Sequence, residues 1–306
     1  MKARNVLLAG AAAASGAVFF AYVAYLRQRK EALERLPRGS QVVETGRGPV
    51  EYVAGGQGPA VLVVHGGGGG YDQGAIFSWP EWGLRFIAPS RPGYLRTPLW
   101  VGRTFAEQAD ALAALLNVLE IDQVAVLGAS AGGPPALYFA LRHPERCRAL
   151  VLLSAVNGPI SDLPDWVHLA EKGMPPDFFT WLLCKTPLIK LLAGRLFDVG
   201  AGAEKKALMR RVLDSTFPIS LRLAGGFNDL RQIAALPPLP LERIQVPTLV
   251  LHGDGDSVVP FAQAERAAET IPGAQFLVLK GGDHLAFVTH LEQARPALHE
   301  FLLTYA

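Results

Sequence analysis

The chain has 306 residues, enough for one catalytic domain with a substantial core, and half of them are apolar. A formal charge of +2 leaves no basic excess of the kind that marks nucleic-acid binding, so no nucleic-acid partner is expected. Two cysteines, Cys147 and Cys184, cannot make a disulfide framework, and without a His-Glu-x-x-His or Cys/His cluster no catalytic metal or other cofactor is expected.

From Val6 to Leu26 the chain is uncharged, flanked by Lys2 and Arg4 and then by Arg27, Arg29 and Lys30. As a helix this stretch of about 21 residues would rise about 31 Å, enough to cross a hydrocarbon core. Phe19, Phe20, Tyr22 and Tyr25 gather toward one end, where an aromatic belt would sit. Residues 1–30 therefore read as a transmembrane helix, an uncleaved single-pass membrane anchor. A cleaved signal peptide is the rival, given the small residues from Ala11 to Ala17, but apolar residues run on from Val18 to Leu26. Arg27, Arg29, Lys30, Arg35 and Arg38 outnumber Lys2 and Arg4, which leans the catalytic domain toward the cytoplasmic side. A chain beginning at Gln41 is expected to be soluble and active.

Segments 41–45, 49–54 and 60–65 read as opening strands, followed by Leu84–Ala88, Val124–Leu127, Ala149–Leu153, Thr248–Leu251 and Gln275–Leu279. Helical periodicity fills Phe105–Leu119, with Thr104 as N-cap and Glu107 three residues on. A helix-like run starts at Pro135, and a long helix from Leu285 to Tyr305 closes the chain, kinked or divided at Pro296. Such alternation predicts an α/β protein with a mainly parallel sheet covered on both faces. Between Ser154 and Val246 the strand pattern stops for about 90 residues that include Trp166, Phe178, Phe179, Trp181 and Leu188. The cluster Lys205, Lys206, Arg210 and Arg211 reads as a solvated face, or as a contact for anionic headgroups beside a membrane anchor.

Ser130 stands at the centre of Gly128-Ala129-Ser130-Ala131-Gly132, straight after the apolar run Val124–Leu127. Strand, tight turn and helix around such a pentapeptide make a candidate nucleophile elbow. A serine nucleophile needs a base to take its proton and a carboxylate to orient that base. Downstream come Asp256, on the loop leaving the strand Pro247–Leu251, and His284, just past the strand Gln275–Leu279. Polar groups on three post-strand loops can meet at the carboxyl edge of one sheet. Asp254 competes as the acid, although Asp-Gly is ordinary turn chemistry. Asp283 reads as a solvated loop carboxylate, His290 and His299 as surface or packing residues, and His143 and His168 as structural.

Acyl transfer builds negative charge on the carbonyl oxygen, so two amide N–H groups must point at it. The candidates are Ala131, next after the serine, and Gly67, in the run His65-Gly66-Gly67-Gly68-Gly69-Gly70-Tyr71. A dinucleotide fingerprint starting at Gly66 fails because its third glycine would fall on Tyr71. His65 reads as a brace of this loop.

From about residue 41 onward the chain resembles the α/β-hydrolase fold superfamily, in its serine esterase or lipase branch. The resemblance rests on Val64-His65-Gly66-Gly67, Ser90-Arg91-Pro92-Gly93-Tyr94, Gly128 to Gly133, Val246 through Pro260, and Gly282-Asp283-His284. It implies a mostly parallel eight-stranded sheet flanked by helices, with core segments 41–154 and 247–306 and a helical cap over 155–246. Spacing to Val259-Pro260 then favours Asp256 over Asp254. The implied activity is cleavage of carboxylic esters by Ser130, His284 and Asp256, with Gly67 and Ala131 as oxyanion hole. The apolar cap suggests an apolar small-molecule ester. Hydrolysis of lactones, amides or C–C bonds, acyl transfer, and a non-catalytic ligand receptor stay open on the same fold, as does the oligomeric state. Ser90 stands where relatives commonly carry Asp, and Ala129 where hormone-sensitive-lipase-like esterases carry an acidic residue. Ser130 separates the chain from the dehalogenase and epoxide hydrolase branches, which use Asp there.

Overall fold

The computed structural model describes residues 2–160, 176–185 and 202–306, with backbone alone for 2–15, 17, 176 and 183–185. Trp166, His168, Leu188, Ile189, Leu191 and Leu192 of the expected cap lie outside the described residues. Runs of valine, leucine and isoleucine build β1 (Gln41–Thr45), β2 (Gly48–Gly55), β3 (Ala60–Val64), β4 (Arg85–Pro89), β5 (Val124–Ala129), β6 (Cys147–Leu153), β7 (Thr248–Gly253) and β8 (Gln275–Leu279). Around them lie α1 (Lys2–Arg38), α2 (Tyr71–Gly74), α3 (Phe105–Val118), α4 (Gly133–Arg142), α5 (Pro176–Lys185), α6 (Ala203–Asp214), α7 (Leu223–Ala234), α8 (Phe261–Thr270), α9 (Ala286–Thr289) and α10 (Leu291–Tyr305).

The eight strands form one sheet in the order β1-β2-β4-β3-β5-β6-β7-β8. Only β2 runs antiparallel to its neighbours; from β4 to β8 every pair is parallel. Alternation along the buried strands sends Leu62, Val64, Val126, Leu150 and Val250 into one apolar layer, with Leu112 and Leu115 of α3 and Phe139 of α4. Val61, Val63, Leu127, Val151 and Leu251 enter the opposite layer, with Leu298 and Leu302 of α10. Each such fully buried Leu or Val stabilises the fold by about 1.5–3 kcal/mol. The register matters for function because it levels the strand ends: Val64 pairs with Gly128, Ala129 with Leu153, and Leu153 with Leu251.

Local signals set several boundaries. Thr104 accepts from the Glu107 amide at 3.2 Å while the Glu107 carboxylate accepts from the Thr104 amide at 2.8 Å, a reciprocal cap that starts α3. Pro296 lies inside α10, so the expected division does not occur there. The break falls at His290, whose φ of −112° and ψ of 37° leave the helical region. Its ring is pinned at 3.1 Å to the Lys280 carbonyl oxygen.

The N-terminal helix reaches further than the expected anchor, residues 1–30. No helix among the described residues is long and apolar enough to cross a membrane. The expected span Val6–Leu26 falls largely in residues described by backbone alone. Nor does α1 end near Lys30; it runs to Arg38 because its second half is packed on the body of the protein. Tyr25, Ala32 and Leu36 are buried, and the Tyr71 hydroxyl donates to the Leu36 carbonyl oxygen at 2.7 Å. Immediately after α1, Ser40 Oγ donates to the buried Glu51 carboxylate at 2.7 Å, and Arg96 bonds both that carboxylate and the Ser40 carbonyl oxygen. A chain beginning at Gln41 would lose every one of these contacts except that between Arg96 and Glu51.

The aromatic residues of α5 are used in packing. Trp181 and its partly buried neighbours Phe178 and Leu182 pack with Tyr25 and Phe217, so they seat α5 on α1. The basic cluster is likewise put to use: Lys205 donates to the Thr289 carbonyl oxygen at 2.7 Å and Arg211 to that of Ala75 at 3.2 Å.

Candidate active site

Ser130 sits in the tight turn between β5 and α4, with φ of +50°. A non-glycine residue there carries roughly 1–2 kcal/mol of backbone strain. Packing enforces it. A Cβ on Gly132 would stand 2.2 Å from the Val64 carbonyl oxygen, and one on Gly128 would stand 2.6 Å from the Ala136 Cβ. Only glycine at both positions lets helix and strands close around the serine. The Ser130 carbonyl oxygen accepts from the Val156 amide at 3.0 Å, tying the turn to the segment after β6.

His284 and Asp256 converge on this serine from the loops after β8 and β7. Ser130 Oγ lies 2.9 Å from His284 Nε2, and His284 Nδ1 lies 2.9 Å from Asp256 Oδ2. An ionised carboxylate only accepts, so the imidazole proton belongs on Nδ1, leaving Nε2 free to accept the serine proton. Asp256 Oδ1 accepts from the amides of Val258 and Val259, each at 2.8 Å. Burial would raise the pKa of this carboxyl, but the contacts with His252, His284 and the Val259 amide outweigh it and hold it well below the usual carboxylate range. Asp254 is turned away, accepting from the Gly281 amide at 2.5 Å, and makes an ion pair with Lys280.

Asp283 is more than a solvated carboxylate. It accepts from the Ser257 amide and hydroxyl and from the His284 amide, at 2.7–2.9 Å, so it staples the acid loop to the histidine loop. Burial raises its pKa, but these bonds prevail and leave it lowered. His252, buried at the end of β7, places Nε2 3.0 Å from Asp256 Oδ2 and 3.2 Å from the Val259 carbonyl oxygen. Its signal in the sequence was a histidine ending an otherwise apolar strand four residues before the acid, where burial demands a partner. Among the remaining histidines, His143 meets Asp110 at 3.0 Å and His299 stacks on Trp82.

The glycine run lies against the elbow. A Cβ on Gly66 would be 3.1 Å from the Ser130 Cβ, and one on Gly67 would be 3.8 Å from the Ala131 Cβ. Two buried arginines hold this loop. From the segment after β4, Arg91 donates Nε to the His65 carbonyl oxygen at 2.9 Å and Nη2 to that of Gly66 at 3.3 Å. Its charge is balanced by Asp229 of α7, bound through both carboxylate oxygens at 2.8 and 2.5 Å, where Tyr94 also donates. On the far side, Arg222 donates to the Gly69 carbonyl oxygen at 2.6 Å and pairs with Asp72. His65 is indeed a brace: Nε2 accepts from the Arg91 amide at 2.9 Å, so Nδ1 carries the proton and donates to the Gly66 carbonyl oxygen at 2.8 Å. Burial, then the charge of Arg91, push its pKa well down, so it stays neutral. Arg91 stood in the sequence only as part of the Ser90–Tyr94 motif and Arg222 not at all, because their acidic partners, Asp229 and Asp72, lie more than a hundred residues away.

No group of acidic, histidine or cysteine side chains among the described residues could hold a metal ion. Burial pushes the Cys147 thiol up to about 12, so it is protonated and inert.

A family model described as alpha/beta hydrolase fold matches residues 59–185, and one described as TAP-like protein matches residues 232–305. An α/β-hydrolase fold protein from Nakamurella multipartita superposes with a TM-score of 0.73 at 34% identity, covering 86% of this chain and 98% of that one. A non-heme chloroperoxidase of Kitasatospora aureofaciens is 30% identical over 252 residues, 75% of this chain and 86% of its own. A hydrolase of Bacillus subtilis is 28% identical over 255 residues, 79% of this chain and 90% of its own. Sheet order, elbow and these relatives agree, and the chain belongs to the α/β-hydrolase fold superfamily as one of its hydrolases.

Proposed function

We propose that the protein hydrolyses carboxylic esters of apolar acids through an acyl-enzyme on Ser130. The observation that carries this reading is the 2.9 Å and 2.9 Å chain from Ser130 through His284 to Asp256, ending on a serine held at positive φ. Ser130 Oγ attacks the ester carbonyl carbon as its proton passes to His284 Nε2, and Asp256 stabilises the imidazolium that forms. The amides of Ala131 and Gly67 hold the oxygen that becomes negative, helped by the N-terminal end of α4 directly behind the elbow. Collapse expels the alcohol, which leaves with the proton from His284. Water, deprotonated by the same nitrogen, then attacks the acyl carbonyl, and the acid departs as Ser130 regains its proton.

Labelling with a fluorophosphonate, wild type against Ser130→Ala, tests the reading. Wild type should label within minutes and the variant not at all, with both giving the same circular dichroism. A folded wild type that neither labels nor turns over short and long p-nitrophenyl esters would sink it.

The N-terminal end of α1 serves in this reading as a single-pass membrane anchor, with the catalytic domain on the cytoplasmic side. Support comes from the uncharged run Val6–Leu26, from Val18, Phe19, Phe20, Val23 and Leu26, which are exposed on the helix, and from the basic residues after it. The full chain should stay with membranes in alkaline carbonate. Release by carbonate or by high salt would remove the anchor from the proposal.

A further inference from the structure

Asp177 opens α5 and joins three elements. Oδ2 accepts from Arg29 Nε of α1 at 3.0 Å and from Ser220 Oγ at 2.7 Å, while Oδ1 accepts from the Ser220 amide at 2.8 Å. The carboxylate is buried, whereas Arg29 is partly exposed. Trp181, one turn along α5, donates to the Gln28 side chain at 2.8 Å and packs with Tyr25. The start of α5 is thus fixed to α1 by two polar contacts and an aromatic seat.

Ser220 sits in the 3-10 turn Ile219–Leu221, between two residues that reach the glycine loop. Before it, Ile219 Cδ1 lies 3.7 Å from where a Cβ on Gly68 would be. Two residues after it, Arg222 makes its 2.6 Å bond to the Gly69 carbonyl oxygen and its pair with Asp72, with a fully buried side chain. The Arg222 amide donates to the Ile219 carbonyl oxygen at 2.8 Å, which joins the arginine to the turn. Arg91 clamps the other end of the glycine loop from the β-sheet core, independently of α1. The end held by Arg222 depends on a turn tied on one side by the Leu95 amide, which donates to the Leu221 carbonyl oxygen at 2.9 Å, and on the other by Asp177.

We propose that Asp177 is a positioning residue for ester cleavage, through which α1 holds the Arg222 turn and sets the glycine loop that receives the oxyanion. The proposal rests on the ester-hydrolase reading. Oxyanion donors act only when already aimed at the developing charge, so slackening the loop weakens transition-state binding more than substrate binding.

The test is the full chain carrying Asp177→Ala, with Arg27→Met as control, since among the described residues the exposed Arg27 pairs with Glu31, one turn along α1. Asp177→Ala should lower kcat for a p-nitrophenyl ester by roughly 10- to 100-fold with KM within twofold. The Ki of a trifluoromethyl ketone, which forms the tetrahedral oxyanion, should rise by the same factor as kcat/KM falls. Inhibition by the product acid should move less than twofold. If Asp177→Ala does not fold, Ser220→Ala and Arg29→Met carry the test and should show the same split at roughly 3- to 10-fold. Unchanged kcat in these folded variants, a loss confined to KM, or a ketone Ki that stays put would each overturn the proposal. An inactive, unlabelled wild type would overturn the ester reading itself, whereas an active wild type with indifferent variants overturns this inference alone.

Discussion

Replacing His284 with alanine is expected to cut ester turnover by about 10⁴-fold or more while the protein remains folded. Among the described residues the imidazole is the base within reach of Ser130 Oγ, and in the proposed reaction it moves the proton between the serine, the leaving alcohol and the attacking water; without it the hydroxyl stays a poor nucleophile. Folding should survive. Asp256 keeps the Val258 and Val259 amides and the His252 contact, so the loss is one hydrogen bond at a partly buried site, about 1–2 kcal/mol. His290→Ala should leave turnover within twofold, since that ring bonds the Lys280 carbonyl oxygen and Thr289. Surviving activity in His284→Ala, lost instead in His290→Ala, would transfer the role of base. The pH profile supplies a second check. Asp256 is held below the ordinary carboxylate range and remains ionised where other carboxyls protonate. The acid limb of kcat/KM should therefore carry no step from protonation of Asp256. The same lowered pKa makes Asp256 stabilising above its unfolded value of about 3.9, a contribution lost as pH falls toward the folded one.

Starting the chain at Gln41 is expected to lower the unfolding temperature by roughly 10–20 °C, or to prevent folding altogether. Removing α1 uncovers the partners of Tyr25 and Leu36, each burial worth about 1.5–3 kcal/mol, and leaves the Tyr71 hydroxyl and the buried Glu51 carboxylate short of a partner. These sum to about 5 kcal/mol, comparable with the whole net stability of many domains. A chain starting at Val18 keeps all of those contacts and should melt within a few degrees of the full protein. Equal melting temperatures for the two truncated forms, read by circular dichroism, would show that α1 is dispensable after all.

Much of the site was legible before any coordinates. Each candidate group follows a short apolar strand and lies within two residues of a glycine. In a parallel sheet strand ends point the same way, so Ser130, Asp256 and His284 could be expected at one edge from local sequence alone. The Thr104 cap was equally local, its two partners lying three residues apart. Harder to read were groups whose meaning comes from a distant partner. Asp283 looked solvated because Ser257 is on another loop, and α1 looked detachable because its contacts, Tyr71 and Trp181, lie far along the chain.

The sequence by itself determined the strands, the parallel sheet, the elbow and the order of Ser130, Asp256 and His284, since these rest on periodicity, turn chemistry and short motifs. Only the tertiary structure decided that Asp256 rather than Asp254 meets the imidazole, that two buried arginines clamp the glycine loop, and that the N-terminal helix seats α5. The reason is physical: a charge buried in the chain must find its partner across space, and no local pattern records where that partner will be.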